Sequence, residues 1–271
     1  MSTSSSQAHS ETVTLDTHFD QRVWVVSINR PEVRNCVDRI TADELLARME
    51  QFENDPTAQV AILTGKGGHF CAGADLKAVK SQDPARANRI AREGAAPMGL
   101  SRFTTSKPTI AAVSGHAVAG GLELACWADL RVAEADAVFG VFCRRFGVPL
   151  IDGGTVRLPR LIGQSRAMDM ILTGRPVKAE EALEWGLVNR ITATGQTSLE
   201  GALALAEQLL AFPQTCMRND RLSALAQWGM TETRAMQEEF EFGLNTLHSG
   251  ETAAGAELFS SGKGRHGSFE S

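Results

Sequence analysis

Tyrosine is absent from this 271-residue chain, and the sequence offers no physical reason for it. Cysteine is sparse: Cys36, Cys71, Cys126, Cys143 and Cys216 form no CxxC pair, and no Cys/His cluster has zinc spacing. An odd, scattered set of this kind reads as reduced thiols in a cytoplasmic compartment. No apolar run approaches the 18 residues of a membrane-spanning helix. The Ser-rich residues 1–10 lack the apolar stretch of a secretory signal and the arginines of a transit peptide, so they are expected to be a flexible tail. The closing Phe269-Glu270-Ser271 is not a peroxisomal tripeptide. Positive charge is not in excess. Lys and Arg number 27 against 32 Asp and Glu, for a net charge of −5, which argues against a broad nucleic-acid surface. Neither a dinucleotide glycine fingerprint nor a P-loop occurs. What is present is ordinary for a globular protein: 43% hydrophobic and 22% charged residues, on a chain long enough for a large core.

Hydrophobic patterning organises the chain. Residues 12–15 and 23–28 read as two strands joined by a hairpin around Phe19-Asp20-Gln21, and Asn29-Arg30-Pro31 ends the second. Thr41-Ala42-Asp43-Glu44 has the form of a capping box, followed by a helical stripe of Leu45, Leu46, Met49 and Phe52. A strand is expected at 60–64 and a polar helix over 84–103. A strand over 109–113 precedes a helix over 120–127, and short strands follow at 130–132 and 138–141. Alternating strands and helices give an α/β class with mostly parallel pairing. From about Ser198 the character changes, and 198–212, 216–228 and 231–248 read as helices without strand signals.

Two short segments carry chemistry. In Gly115-His116-Ala117-Val118-Ala119-Gly120-Gly121-Leu122-Glu123-Leu124-Ala125, a small-residue turn opens a helix and a carboxylate follows three residues after Gly120. A helix start offers unpaired N–H groups and a positive dipole end, and glycine lets a ligand approach them. His69-Phe70-Cys71-Ala72-Gly73-Ala74-Asp75-Leu76 follows the apolar strand at 60–64. Together, in this order, the two segments resemble the enoyl-CoA hydratase/isomerase superfamily, the crotonase family. The resemblance covers nearly the whole chain after the N-terminal tail, with its specific motifs in the first two-thirds. It implies repeated ββα turns wound into a spiral core over 11–197, and a C-terminal helical oligomerisation region over 198–271. It implies an acyl-CoA thioester substrate and a homotrimer or dimer of trimers. It implies an oxyanion hole made by the N–H groups of Ala74 and Gly120, with Glu123 as acid/base. No membrane, nucleic acid, metal or separate cofactor is expected, because two N–H donors already stabilise the enolate oxyanion.

The resemblance also marks departures. Hydratases of this family use a second glutamate, and the matching position holds Cys143, whose thiol is a poor water-activating base. That favours double-bond isomerisation or another enolate reaction. Asp152, in Val148-Pro149-Leu150-Ile151-Asp152-Gly153-Gly154-Thr155, stands near the place where some relatives carry a proton-transferring aspartate. A Glu123/Asp152 pair would suit moving a proton between carbons; equally, Asp152 reads as a turn or helix cap. Hydration using Glu123 with Asp152 is the alternative, and a non-catalytic acyl-CoA binder is the alternative of another class. CoA is expected near Val33-Arg34-Asn35, with Arg34, Ala72, Asp75, Gly121 and Cys143 as substrate contacts. Cys143 also reads as a buried small hydrophobe. Arg144 and Arg145 read as surface or ion-pair residues, and His69 and His116 as structural rather than catalytic.

Overall fold

A computed structural model describes residues 11–81 and 83–263; the expected N-terminal tail and the terminal tripeptide lie outside these residues. In chain order the strands are β1 (Val13–His18), β2 (Val23–Ile28), β3 (Val60–Gly65), β4 (Thr109–Val113), β5 (His116–Val118), β6 (Leu130–Ala133), β7 (Val138–Gly140), β8 (Val177–Lys178) and β9 (Arg190–Ile191). The helices are α1 (Arg39–Asn54), α2 (Leu76–Ser81), α3 (Gly120–Trp127), α4 (Gly154–Ile162), α5 (Gln164–Thr173), α6 (Ala179–Glu184), α7 (Ser198–Leu210), α8 (Gln214–Ala226), α9 (Glu232–His248) and α10 (Glu251–Ser260). Two 3-10 turns, Pro31–Val33 and Phe142–Phe146, border the site described below.

The main sheet has the order β1-β2-β3-β4-β6-β9. Only β1 and β2 pair antiparallel, through a turn whose Phe19, Asp20 and Gln21 all take positive φ. The remaining pairings in this sheet are parallel. A second, smaller sheet has the order β5-β7-β8. β2, β3 and β4 are buried along almost their whole length, as parallel strands covered on both faces must be. One face packs on α1, α3 and the small sheet, around Phe52, Leu63, Phe70, Leu122 and Phe139. The other face, with Val23, Ile62, Ile110 and Val132, is covered by Ala202, Leu205 and Ala206 of α7. The helical end of the chain therefore begins with an element that completes the core, and only α8 to α10 extend beyond it.

Two local expectations fail. Residues 84–103 form no helix; they run as turns and bends after α2. Pro84, Pro97 and the positive-φ Gly94 and Gly99 break any helical ladder. Side chains replace it: Asn88 donates its amide to the carbonyls of Val37 and Pro97. At α1 the cap is Asp38, not Thr41. Asp38 accepts from the Thr41 amide and hydroxyl, and the Glu44 carboxylate instead accepts from Thr12 and the Val13 amide.

Candidate active site

The two motif segments meet at the end of β5. The loop after β3 runs beside β5, with the Cys71 amide bonded to the His116 carbonyl and the Val118 amide to the Cys71 carbonyl. Gly73 takes φ +100°, and a Cβ built on it would lie 3.1 Å from the Gly120 nitrogen. A Cβ on Gly121 would lie 2.0 Å from the Cys71 carbonyl oxygen. Only glycine at these two places lets the helix start press against the loop. Ala119, the residue before α3, sits at φ 54° and ψ −126°. A non-glycine residue held there is strained, and such strain persists where the surroundings over-determine it.

This contact aims two amides. Val37 donates to Gly73 and accepts from Asp75, so Ala74 turns its own N–H away from that bridge. Gly120 is the first residue of α3, where the N–H has no intrahelical acceptor. Both residues line a cavity of about 970 Å³, together with Glu123, Asp152, Cys143 and Arg34. Of the other expected substrate contacts, Ala72 and Asp75 also line it. Gly121 is buried in the contact with Cys71 behind it. Asp75 borders the cavity with its carboxylate already engaged. It accepts from the Lys77 and Ala78 amides and from the Arg30 guanidinium at 2.9 Å.

Glu123 is 2% exposed. Its Oε1 accepts from the Asp152 amide at 2.9 Å and the Gly154 amide at 2.8 Å. Oε2 has no partner among the described residues. Burial pushes the carboxyl up to about 7; the two amides and Arg157 oppose the rise, and the Asp152 charge adds to it. A buried carboxyl that titrates near neutrality, fixed through one oxygen, can take and return a proton with the other.

Asp152 is also buried, and its pKa is raised, again chiefly by burial. Its side chain caps nothing local. Oδ1 accepts from the Met98 amide at 3.0 Å and the Ser101 hydroxyl at 2.7 Å, more than fifty residues back in the chain. Asp152 therefore joins the 97–101 wall to Glu123, with its carboxylate on one and its amide on the other. Arg157 seals the same corner by donating to the carbonyls of Asp152 and Ser101. Cys143 is buried in the second 3-10 turn, and burial followed by the nearby Glu123 charge raises its pKa, so it faces the cavity as a neutral thiol.

Met98, Ser101, Asn88 and Arg157 had no signal in the sequence as site residues. Met98 packs over Gly120, where a Cβ would meet its sulfur at 2.8 Å. The proline and glycine that flank Met98 are the one clue that 97–99 is a shaped wall rather than helix. Arg34 follows the first 3-10 turn in a left-handed conformation, with Glu32 and Val33 beside it on the cavity wall. Arg144 donates to the Ile171 carbonyl, and Arg145 lies over the rings of Phe142 and Phe146.

Comparison with known proteins shows the family. The family model for enoyl-CoA hydratase/isomerase matches residues 18–263. The chain is 36% identical over 244 residues to the mevalonyl-coenzyme A hydratase SIDH of Beauveria bassiana, covering 86% of each. It is 33% identical over 237 residues to the enoyl-CoA hydratase EchA19 of Mycobacterium tuberculosis, covering 87% of this chain and 89% of the relative. The crystal structure of an enoyl-CoA hydratase from Mycobacterium tuberculosis H37Rv superposes with a TM-score of 0.85 at 35% identity, over 92% of this chain and 96% of that one.

Proposed function

This chain belongs to the enoyl-CoA hydratase/isomerase family and is an acyl-CoA enzyme of it, and from that premise we propose that it moves a double bond along an unsaturated acyl-CoA. The thioester carbonyl accepts hydrogen bonds from the Ala74 and Gly120 amides. Glu123, as carboxylate, takes a proton from the α carbon of a 3-enoyl thioester. The negative charge collects on the carbonyl oxygen, where each such donor is worth on the order of 3 kcal/mol. The protonated Glu123 then returns the proton to the γ carbon, giving the 2-enoyl thioester. No metal or separate cofactor enters this sequence.

The observation that carries the proposal is the partner-free Oε2 of a carboxyl whose pKa lies at about 7, in a cavity whose other candidate position holds a neutral thiol. Proton transfer between two carbons on one face needs a single acid/base, whereas adding water draws on two. A second reading is hydration, with Asp152 placing the water. It is favoured by the second oxygen of Asp152, which has no partner among the described residues, and by relatives named as hydratases. The exposed apolar side chains of α8 to α10 support a homotrimer or a dimer of trimers. The five unpaired thiols support a cytoplasmic setting.

Proton NMR in D2O with 2-enoyl- and 3-enoyl-CoA tests both readings. Double-bond migration with deuterium entering the α or γ carbon, lost in Glu123→Gln, is the expected result. A 3-hydroxyacyl product overturns isomerisation in favour of hydration. Binding of CoA esters without any turnover overturns both.

A further inference from the structure

At the Arg34 side of the cavity, two histidines face each other. His69 follows β3 and His116 opens β5; their rings stand edge to face, with Nδ1 to Nδ1 at 3.3 Å. The His116 backbone amide also donates to His69 Nδ1 at 3.3 Å. These contacts fix the protons. His69 Nδ1 must offer a lone pair to that amide, so neutral His69 carries its proton on Nε2. Two lone pairs facing each other across 3.3 Å would repel, so His116 carries its own proton on Nδ1 and donates it to His69. The lone pair of His116 is therefore on Nε2. The hydrogen bonds recorded for this ring use Nδ1, and His116 lines the cavity.

An additional proton has one place to go. His69 Nδ1 is committed as an acceptor and its Nε2 is already protonated. His116 Nε2 can accept without breaking either contact, and the imidazolium formed would still donate through Nδ1. The charged groups around it are mixed. Arg34 approaches from the first 3-10 turn, and Asp136 from the turn between β6 and β7. From the second 3-10 turn, Phe142 packs its ring against His116 and Arg145 lies over Phe142. Glu32 lies on the same wall. Burial, then His69 and Arg34, hold the His116 pKa below its ordinary value, with Asp136 opposing. The free protein at neutral pH thus presents an unprotonated nitrogen on the cavity wall near Arg34. An anion arriving there favours the protonated ring and so opposes the lowering that burial, His69 and Arg34 impose.

We propose that His116 is a proton-linked binding residue for the phosphate-bearing part of the CoA thioester, taking up a proton at Nε2 as the phosphates settle against it and Arg34. The proposal rests on the acyl-CoA reading of the site. It gives binding a pH dependence of its own, separate from the titration of Glu123. A CoA ester binds more tightly as pH falls through the titration of the bound-state imidazolium, and a thioester without phosphates does not.

The test is calorimetric binding of butyryl-CoA and of butyryl-pantetheine at pH 7, each in Tris and in PIPES, whose ionisation enthalpies differ. For butyryl-CoA the apparent enthalpy should depend on the buffer with the sign of proton uptake. Butyryl-pantetheine should show no such dependence. The sign discriminates, because a phosphate monoester with a second pKa near 6 releases protons on meeting cations. His116→Gln should abolish the uptake or turn it into release. It should also weaken butyryl-CoA binding roughly fivefold at pH 6.5 and much less at pH 8.5, the scale of one partly exposed ion pair. A wild-type enthalpy that does not vary with buffer overturns the proposal without any variant, as does equal uptake with butyryl-pantetheine or in His116→Gln. If butyryl-CoA binds without uptake, only the role of His116 fails; if neither thioester binds, the acyl-CoA reading fails with it.

Discussion

Among single residues, Glu123 titrates and Asp152 biases it. Glu123 removes a proton only as the carboxylate, so kcat/KM should rise with pH through about 7 and fall away below it. Replacing Glu123 by Gln should lower turnover roughly a hundred- to ten-thousandfold. Asp152 shifts this profile without sharing the proton. Its charge is one cause of the raised Glu123 pKa, while its amide holds Oε1 whatever the side chain. Asp152→Asn should therefore move the midpoint of the pH profile to lower pH, and an unmoved midpoint would sink this account of the pair. The raised pKa is also a stability statement. The folded value of about 7 lies above the model-compound value of 4.5. The associated stability is fully present below the unfolded pKa and is lost as pH rises through 7. Glu123→Gln keeps an acceptor for the two amides and carries no charge. Its melting temperature should exceed that of the wild type at pH 8 by the equivalent of up to about 3 kcal/mol, and match it near pH 4. Glu123 and Gly120 were legible because a short motif carries both. The support from Met98, Ser101 and Arg157 was not, since it rests on bonds from Met98 and Ser101 to Asp152 and from Arg157 to Ser101 that span more than fifty residues and leave no local pattern.

At the level of elements, the sequence was most readable where periodicity and burial agree, as in β2, β3, β4 and α3. It was least readable where side chains replaced regular backbone bonding. The 84–103 segment is polar enough to suggest a solvent-facing helix, yet it is held by Asn88, Asp152 and Arg86 as a shaped wall. α4 and α5 were overlooked because glycines start them and Pro159 interrupts the first. The start of α1 shows how a local motif loses to a tertiary one. Thr41 and Glu44 fit a capping box, but Asp38 also meets Arg30 at 3.5 Å and Arg86 at 2.6 Å, while Arg30 reaches on to Asp75. Burial alone would raise the Asp38 pKa; the Thr41 hydrogen bonds and the two arginines more than offset this and hold it low. Asp38→Ala removes a helix cap and leaves Arg30 with one fewer partner in a buried network. Urea denaturation should show a loss of about 2–4 kcal/mol. A change below about 0.5 kcal/mol would mean that Asp75 alone suffices to hold Arg30. Asp75→Ala should cost a similar amount and also lower kcat, because the carboxylate that follows Ala74 anchors the loop that aims its N–H.

For the whole molecule, strand and helix alternation announced an α/β protein, but not the order β1-β2-β3-β4-β6-β9 or the second sheet. Those depend on which strand pairs with which over long separations, and the central β2, β3 and β4 are apolar along almost their whole length, so no face distinguishes one neighbour from another. The C-terminal helices present the reverse case. α7, α8 and α9 were legible and α10 was not; what they leave uncovered emerges only in three dimensions. Neither α8 nor α10 has a buried residue, and α9 has only Thr246. On α9, Met236, Phe240 and Leu247 are 60%, 64% and 56% exposed. At 100° per residue these positions fall within a narrow stripe of one helix face. Leu225, Trp228 and Met230, at and after the end of α8, add further exposed apolar surface. An apolar stripe left in water along a helix marks an interaction surface. A second copy is the occupant we expect, since a closed ring of identical chains buries the same stripe on each. Light scattering after size exclusion should give three or six times the 29.1 kDa chain mass. Phe240→Glu, which places a charge in the middle of the stripe, should shift the population towards 29.1 kDa and lower the melting temperature. α9 lies outside the cavity that holds Glu123, so residual turnover in that variant would report how far the site depends on assembly. A wild-type mass of 29.1 kDa at micromolar concentration would leave the α9 stripe without its expected partner and overturn the assembly proposal.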